Sequence, residues 1–119
     1  MRILYFSDRW GDNVMGTKRS IFEELKIRGI DVIFQNKSNI NKILGLIKTL
    51  NPDQIWLAHS SLTLPCDKSM IKKPVVGFGF SDPHYFFDTR LKSYDIYITN
   101  HYGTYLKYRD IMIKAHIQL

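Results

Sequence analysis

The chain of 119 residues has a single cysteine, Cys66. One cysteine excludes an intrachain disulfide and a cysteine-based metal cluster, and it is compatible with a reducing compartment. We expect Cys66 to fill a small apolar space rather than to act as a nucleophile.

Long apolar runs are lacking too: runs such as 74–80 fall short of the roughly 20 residues that a membrane helix needs, and residues 1–6 show no signal-peptide pattern. We therefore expect no membrane span and a cytoplasmic location.

Acidic side chains are few, with 11 Asp and Glu against 17 Lys and Arg, for a net charge of +6. The basic residues are scattered, and only 18–19 and 72–73 are adjacent basic pairs. Without a reader motif or a basic helix, such scattered charge is typical of a solvated surface, so we expect no nucleic-acid partner. A phosphate-bearing or lipid-linked ligand fits the same charge.

The sequence also lacks the fingerprints GxGxxG and GxxxxGK[ST], which removes the defining residues of a dinucleotide site and of a P-loop. No repeat and no Pro/Gly/Ser-rich linker divides the chain. With 45% hydrophobic and 24% charged residues, its composition is that of an ordinary globular protein. We predict one domain over residues 1–119.

Segments with strand character alternate with segments of helical spacing. The predicted strands are 2–7, 30–34, 55–58, 75–78 and 94–99. The first predicted helix starts near Thr17 or Ser20 and ends at Gly29, and Ser20 and Glu23 are spaced as a capping box. The second starts at 38 or 39 and ends at 51–52, and the last runs from about 102 to 113. Residues 67–71 are a short crossover. This alternation predicts an α/β fold: a Rossmann-like, doubly wound parallel sheet of about five strands in three α/β/α layers.

Small or polar residues lie at the ends of the predicted strands, at Ser7-Asp8, His59-Ser60-Ser61, Ser81-Asp82-Pro83-His84 and Asn100-His101. In an open α/β sheet, ligands bind outside the carboxyl ends of the strands, where the strand order reverses. We therefore expect these residues to line one crevice. The candidate site residues are Asp8, Trp10, Gly11, Asp12, Gly16, His59, Ser60, Ser81, Asp82, His84, Asn100 and His101.

Three of these residues are candidate proton acceptors. Asp8 could act as a general base toward an acceptor hydroxyl if burial raises its pKa, and the alternative is a solvated or helix-capping Asp. His59 and His101 have natural pKa values near neutrality, and the alternative for each is a hydrogen-bonded loop histidine. In the loop 8–16, glycines would let a ligand approach the backbone, or the loop is a plain connection.

Two further interpretations concern metals and aromatic side chains. His59, Asp82, His84 and His101 have metal-ligating side chains, but their wide separation in sequence leads us to expect no metal site. The aromatic residues 85–87 could stack on a sugar ring, pack onto the sheet, or form an interface with a second domain or a second copy in a homodimer.

Several segments resemble a known superfamily. The stretches RGIDV at 28–32 and LNPDQIW at 50–56, after a strand, a Gly-containing loop and a helix, resemble the amino-terminal half of GT-B glycosyltransferases. KPVVGF at 73–78, followed by SDP at 81–83, looks most like the CgeB-type group of that superfamily. The resemblance spans nearly the whole chain.

The resemblance implies an acceptor-side domain of an enzyme that transfers a sugar from a nucleotide-activated donor to an acceptor hydroxyl. Because the second domain of such enzymes holds most of the nucleotide-sugar contacts, we expect this half alone to be nearly inactive and to bind no cofactor tightly. Its expected partners are a small-molecule or glycan acceptor and a carboxyl-terminal donor domain or partner chain. The alternative is a stand-alone Rossmann-like or flavodoxin-like module for an anionic small molecule.

Overall fold

Five parallel strands form one sheet in a computed structural model, which describes residues 1–8, 16–59, 62–79, 88–99, 101–106 and 109. The strands are β1 (Arg2–Ser7), β2 (Asp31–Asn36), β3 (Gln54–Leu57), β4 (Val75–Gly79) and β5 (Ile96–Thr99). Their order across the sheet is β2-β1-β3-β4-β5, which is the flavodoxin-like order. The five predicted strands are confirmed, with ends shifted by up to two residues.

Both faces of the sheet are covered, because successive side chains of a strand point to opposite faces. On one face, Leu4 and Phe6 of β1 pack with Ile43 of helix α2 (Ile43–Leu50). On the other face, Ile3 and Tyr5 pack under helix α1 (Thr17–Ile27), whose contacting residues are Ile21, Phe22 and Leu25. The predicted three-layer Rossmann-like arrangement is confirmed. Cys66 is partly buried against the first of these clusters, as expected of an apolar filler.

Helix α1 begins at Thr17, one of the two predicted starts, and Gly16 is its N-cap. The predicted capping box is wrong: Ser20 lies inside the helix, where its backbone N–H donates to the Gly16 carbonyl at 2.9 Å. The predicted end at Gly29 is confirmed. Gly29 has φ +81°, which a glycine adopts without strain, and the Ile30 N–H turns back to the Leu25 carbonyl.

The second predicted helix has two parts. Residues Lys37–Lys42 form a 3₁₀ helix directly after β2, and α2 continues from Ile43 to Leu50. The Asn36 side chain accepts a hydrogen bond from the Ser38 N–H at 3.0 Å, which starts the turn without a connecting loop. Lys37 therefore lies at the end of β2, at the same edge of the sheet as the end of β1.

The last third of the chain departs most from the predictions. Lys68–Met70 form a 3₁₀ turn in the predicted crossover, but the 3₁₀ helix Asp88–Ser93 was not predicted. Strand β5 starts at Ile96 rather than at Tyr94, because the Tyr94 N–H donates to the Leu91 carbonyl at 3.3 Å and so continues the turn of the preceding 3₁₀ helix. Residues 102–106 and 109 are helical, within the predicted last helix. In the described part of the chain, no helix is long and apolar enough to cross a membrane.

Candidate functional site

The carboxyl edge of the sheet brings charged residues of three strands together. Asp8 follows β1, Lys37 follows β2, and His59 lies two residues after β3. Because β1 pairs with β2 on one side and with β3 on the other, the end of β1 is the point where the strand order reverses. This is the place where open α/β sheets bind ligands.

Asp8 is the centre of a charged group, which we call the Asp8 cluster: Asp8, Lys18, Lys37 and His59. Lys18 Nζ donates to Asp8 Oδ2 at 2.7 Å, and Lys37 Nζ lies 3.0 Å from Oδ1. His59 Nε2 lies 3.1 Å from Asp8 Oδ2 and 3.4 Å from Lys37 Nζ. The His59 side chain is only 16% exposed, whereas that of Asp8 is 39% exposed, so one side of the cluster is open to solvent.

Hydrogen bonds from the core fix the groups that carry this cluster. The Tyr5 hydroxyl donates to the Lys18 carbonyl at 2.6 Å, which attaches the first turn of α1 to β1. The Ala58 N–H donates to the Phe6 carbonyl at 2.8 Å, and the Ser7 hydroxyl donates to the Ala58 carbonyl at 2.9 Å. These bonds join the ends of β1 and β3, so that Asp8 and His59 must be neighbours.

The environment of Asp8 keeps its carboxyl group ionised around neutral pH, so Asp8 is a poor base. Burial alone would raise its pKa, but the hydrogen bonds from Lys18 and Lys37, with the nearby His59, outweigh that effect and lower the pKa to about 2. Of the two interpretations of Asp8, the general base with a raised pKa is therefore contradicted, because the two lysines outweigh the effect of burial. Around neutral pH, Asp8 can orient cations and imidazole, but it takes up protons poorly.

The environment of His59, in contrast, favours the uncharged form of its side chain. Burial lowers its pKa first, and the positive charges of Lys18, Lys37 and Arg90 lower it further against the opposing effect of Asp8. The imidazole is thus neutral at pH 7. A neutral imidazole carries a lone pair on one of its two ring nitrogens, so His59 is in the protonation state of a general base.

We expect this lowered pKa to make stability depend on pH. In the unfolded chain the pKa of a histidine is about 6.5, so below that pH the unfolded state binds more protons than the folded state. The free energy of unfolding should therefore fall as the pH drops from 7 to 5. The His59→Gln variant should show a shallower fall over this interval, measured by urea denaturation at several pH values. Parallel curves for the two proteins would show that His59 does not titrate differently on folding.

Two other predicted site residues are described, and they have local roles. Gly16 caps α1. His101 caps the helical turn that follows it: its Nδ1 accepts from the Thr104 N–H at 3.0 Å, and its own N–H donates to Thr99 Oγ1 at 3.1 Å. His101 follows β5, which β4 separates from β3, so His101 and His59 are not brought together.

The remaining candidates lie outside the described residues: Trp10, Gly11, Asp12, Ser60, Ser81, Asp82, His84, Asn100 and the aromatic residues 85–87. Of the four side chains considered as metal ligands, only His59 and His101 are described. In the described ranges, no group of three His, Cys, Asp or Glu side chains is placed to hold a metal ion.

Sequence reasoning missed three cationic residues near the site. Lys37 could have been found, because it follows a strand in the same way as the residues that were chosen. Lys18 carried a weaker signal, as a lysine in the first turn of the helix after β1. Arg90 carried none: it is 3% exposed, and its guanidinium packs over the Tyr94 and Tyr97 rings, within a segment that the sequence did not predict as a helix.

The sheet and the Asp8 cluster together define a Rossmann-like α/β domain with a charged site at the switch point of its strand order. No protein-family model matches this chain, and no curated protein matches it at a significant level.

Proposed function

We propose that this chain is the acceptor-side domain of a GT-B-type glycosyltransferase and that the Asp8 cluster faces the acceptor hydroxyl. The observation that carries the proposal is the pair of Asp8 and a neutral His59, 3.1 Å apart at the switch point of the sheet. The resemblance of 28–32, 50–56, 73–78 and 81–83 to the amino-terminal half of such enzymes gives the substrate class. A cytoplasmic location is part of the proposal, since the lone Cys66 requires no oxidising compartment.

In this mechanism His59 is the general base. It takes the proton of the acceptor hydroxyl while the oxygen attacks the anomeric carbon of a nucleotide sugar. The new carbon–oxygen bond replaces the bond to the nucleotide diphosphate, which leaves with the electron pair. Asp8 orients the imidazole and stabilises the imidazolium that forms, as a carboxylate does in other acid-base pairs. A second, donor-binding domain supplies the nucleotide sugar, so the 119-residue chain alone binds acceptor but turns over little.

The experiment is a ligand screen on the 119-residue chain, with thermal unfolding and the NMR signals of the His59 ring as readouts. Hydroxyl-bearing glycan acceptors should raise the melting temperature and shift the His59 signals, because a ligand of the native state stabilises it by mass action. The ligand-induced rise in melting temperature should disappear in His59→Asn and should remain in His101→Asn. Stabilisation by FMN, with no response to any glycan, would contradict the transferase proposal.

The second candidate is a stand-alone module that binds an anionic small molecule. The flavodoxin-like strand order favours it, and so does the excess of positive charge at the switch point. A nucleotide or FMN that stabilises the chain without any glycosyl transfer is the outcome that selects this candidate.

A further inference from the structure

We propose that Lys18 and Lys37 together bind a phosphoryl group of a small-molecule ligand at the end of β1, with Asp8 holding the two ammonium groups in place. This proposal names a ligand chemistry for the site of the proposed function. It rests on that function only because both use the same edge of the sheet.

The Asp8 cluster carries a net positive charge. Two ammonium groups face one carboxylate, and His59 is neutral, so the cluster keeps one net positive charge. The buried guanidinium of Arg90 adds to the positive field, since its charge acts on His59. Asp8 is the only acidic side chain that makes an ion pair with Lys18 or Lys37 in the described part of the chain. An anion that enters here is therefore attracted despite the carboxylate.

The two lysines also have the hydrogen-bond donors that a phosphoryl group needs. A lysine ammonium has three N–H donors. Within the described residues, Lys18 Nζ uses one of them on Asp8 Oδ2, while Lys37 Nζ contacts Asp8 Oδ1 and His59 Nε2. The two ammonium groups approach different oxygens of the same carboxylate, one from α1 and one from the 3₁₀ helix after β2. They are therefore held close together with donors left for a ligand with several acceptor oxygens.

A ligand can reach both ammonium groups from solvent. The side chains of Lys18 and Lys37 are 26% and 44% exposed, so the cationic groups reach solvent while His59 closes the inner side. A phosphoryl group fits such a partly desolvated site better than a single carboxylate, because it carries more charge and more acceptor oxygens.

The test is a titration of the 119-residue chain at constant ionic strength with three probes: inorganic phosphate, a hexose 1-phosphate and uridine diphosphate. Phosphate should shift the His59 ring signals and raise the pKa of His59, because a bound dianion favours the imidazolium. Lys18→Gln and Lys37→Gln should each weaken binding about tenfold, which is the loss of one charge-assisted hydrogen bond.

Lys48→Gln is the matched control. Lys48 lies near the end of α2, at the amino edge of the sheet, where the Leu50 carbonyl accepts from Arg2 at the start of β1. The substitution removes the same charge far from the cluster, and we expect binding to change less than about twofold. Equal weakening by all three variants would show attraction to net charge alone and would overturn the proposal.

The three probes separate the sources of the phosphoryl group. Equal affinity for phosphate and for the hexose 1-phosphate assigns recognition to the phosphoryl group alone, whereas tighter binding of the sugar or the nucleotide adds contacts beyond it. If the lysine variants do not fold, the pKa of His59 with and without phosphate decides the matter in the unchanged protein, and no change overturns the proposal. Lysine-dependent phosphate binding without any response to glycans would leave this inference standing and remove the transferase proposal.

Discussion

In Gly77→Ala, the free energy of unfolding should fall by about 3 kcal/mol, because a β-carbon at this position overpacks the core. Gly77 lies in the centre of β4, paired with Leu57 of β3 and Tyr97 of β5. A β-carbon built there would be 2.5 Å from two ring atoms of Tyr94. Carbon atoms do not approach so closely, so either the ring or the strand must move.

The Tyr94 ring is held from several sides and cannot move at low cost. Its hydroxyl donates to the Leu62 carbonyl at 2.5 Å and accepts from Arg90 Nη2 at 3.1 Å, and the ring stacks on Tyr97 with a centroid distance of 5.5 Å. Moving the ring breaks buried hydrogen bonds, whose unpaired groups each cost about 1–3 kcal/mol. Moving β4 instead disturbs its pairing on both sides.

Gly45→Ala is the matched control, because the same substitution there should raise the free energy of unfolding instead of lowering it. Gly45 lies inside α2, and a β-carbon there would meet nothing within 4 Å. Alanine in a helix interior is favoured over glycine by roughly 0.5–1 kcal/mol. Urea denaturation of both variants at pH 7 measures the difference. Equal stability of Gly77→Ala and the unchanged protein would mean that the Tyr94 ring does not lie against β4.

The difference between these two glycines also shows where sequence reasoning ends. Both residues are glycines that follow two apolar residues. Gly77 follows two valines, and Gly45 follows Ile43 and Leu44, so the local sequence does not distinguish them. The conflict at Gly77 arises from Tyr94, a residue 17 positions later in the chain. Periodicity and turn residues report local structure, whereas this contact depends on tertiary packing.

The same reasoning explains what was predicted of the fold. The continuous apolar run of β1 and the end of α1 at Gly29 are local signals, and the structure confirms both. The predicted start of β5 at Tyr94 is wrong because the Tyr94 N–H bonds back to the Leu91 carbonyl of the preceding 3₁₀ helix, which the sequence did not predict. The sequence could not order the strands, although it predicted that they are parallel.

For the site, the sequence identified the edge and two of the four residues of the Asp8 cluster. Asp8 and His59 follow apolar strands, which is a signal visible in the sequence. The general-base interpretation of Asp8 required a raised pKa, but the pKa is lowered by lysines that come from α1 and from the residue after β2. The sign of a pKa shift depends on which charges the fold places within a few ångströms, and the sequence does not contain that distance.

Replacing Asp8 itself should have the second large effect. In Asp8→Asn the amide keeps the size of the side chain but removes the charge, so Lys18 and Lys37 repel each other without a carboxylate between them. Removing one partner of a buried ion pair costs about 3–5 kcal/mol and of an exposed pair about 0.2–1 kcal/mol. Because the Asp8 side chain is 39% exposed, we expect a loss of about 2 kcal/mol at pH 7.

Asp31→Asn is the control for this variant. Asp31 pairs with Arg2 at 2.7 Å, but both side chains are about half exposed, so the loss should stay below about 1 kcal/mol. Equal losses in the two variants would show that the cluster is an ordinary surface ion pair.

The pH dependence gives a second and independent reading of the Asp8 variant. The pKa of Asp8 in the folded protein is about 2, below that of an unfolded Asp, so its contribution is present above pH 4 and is lost as the pH falls through 2. The Asp8→Asn variant should therefore lose this part of the acid sensitivity.

The same substitution should lower the pKa of His59 further, because Asp8 is the charge that opposes the lysines. An unchanged His59 pKa in the variant would mean that the two side chains are not electrostatically coupled, and the proposed base would then lack the carboxylate that orients it.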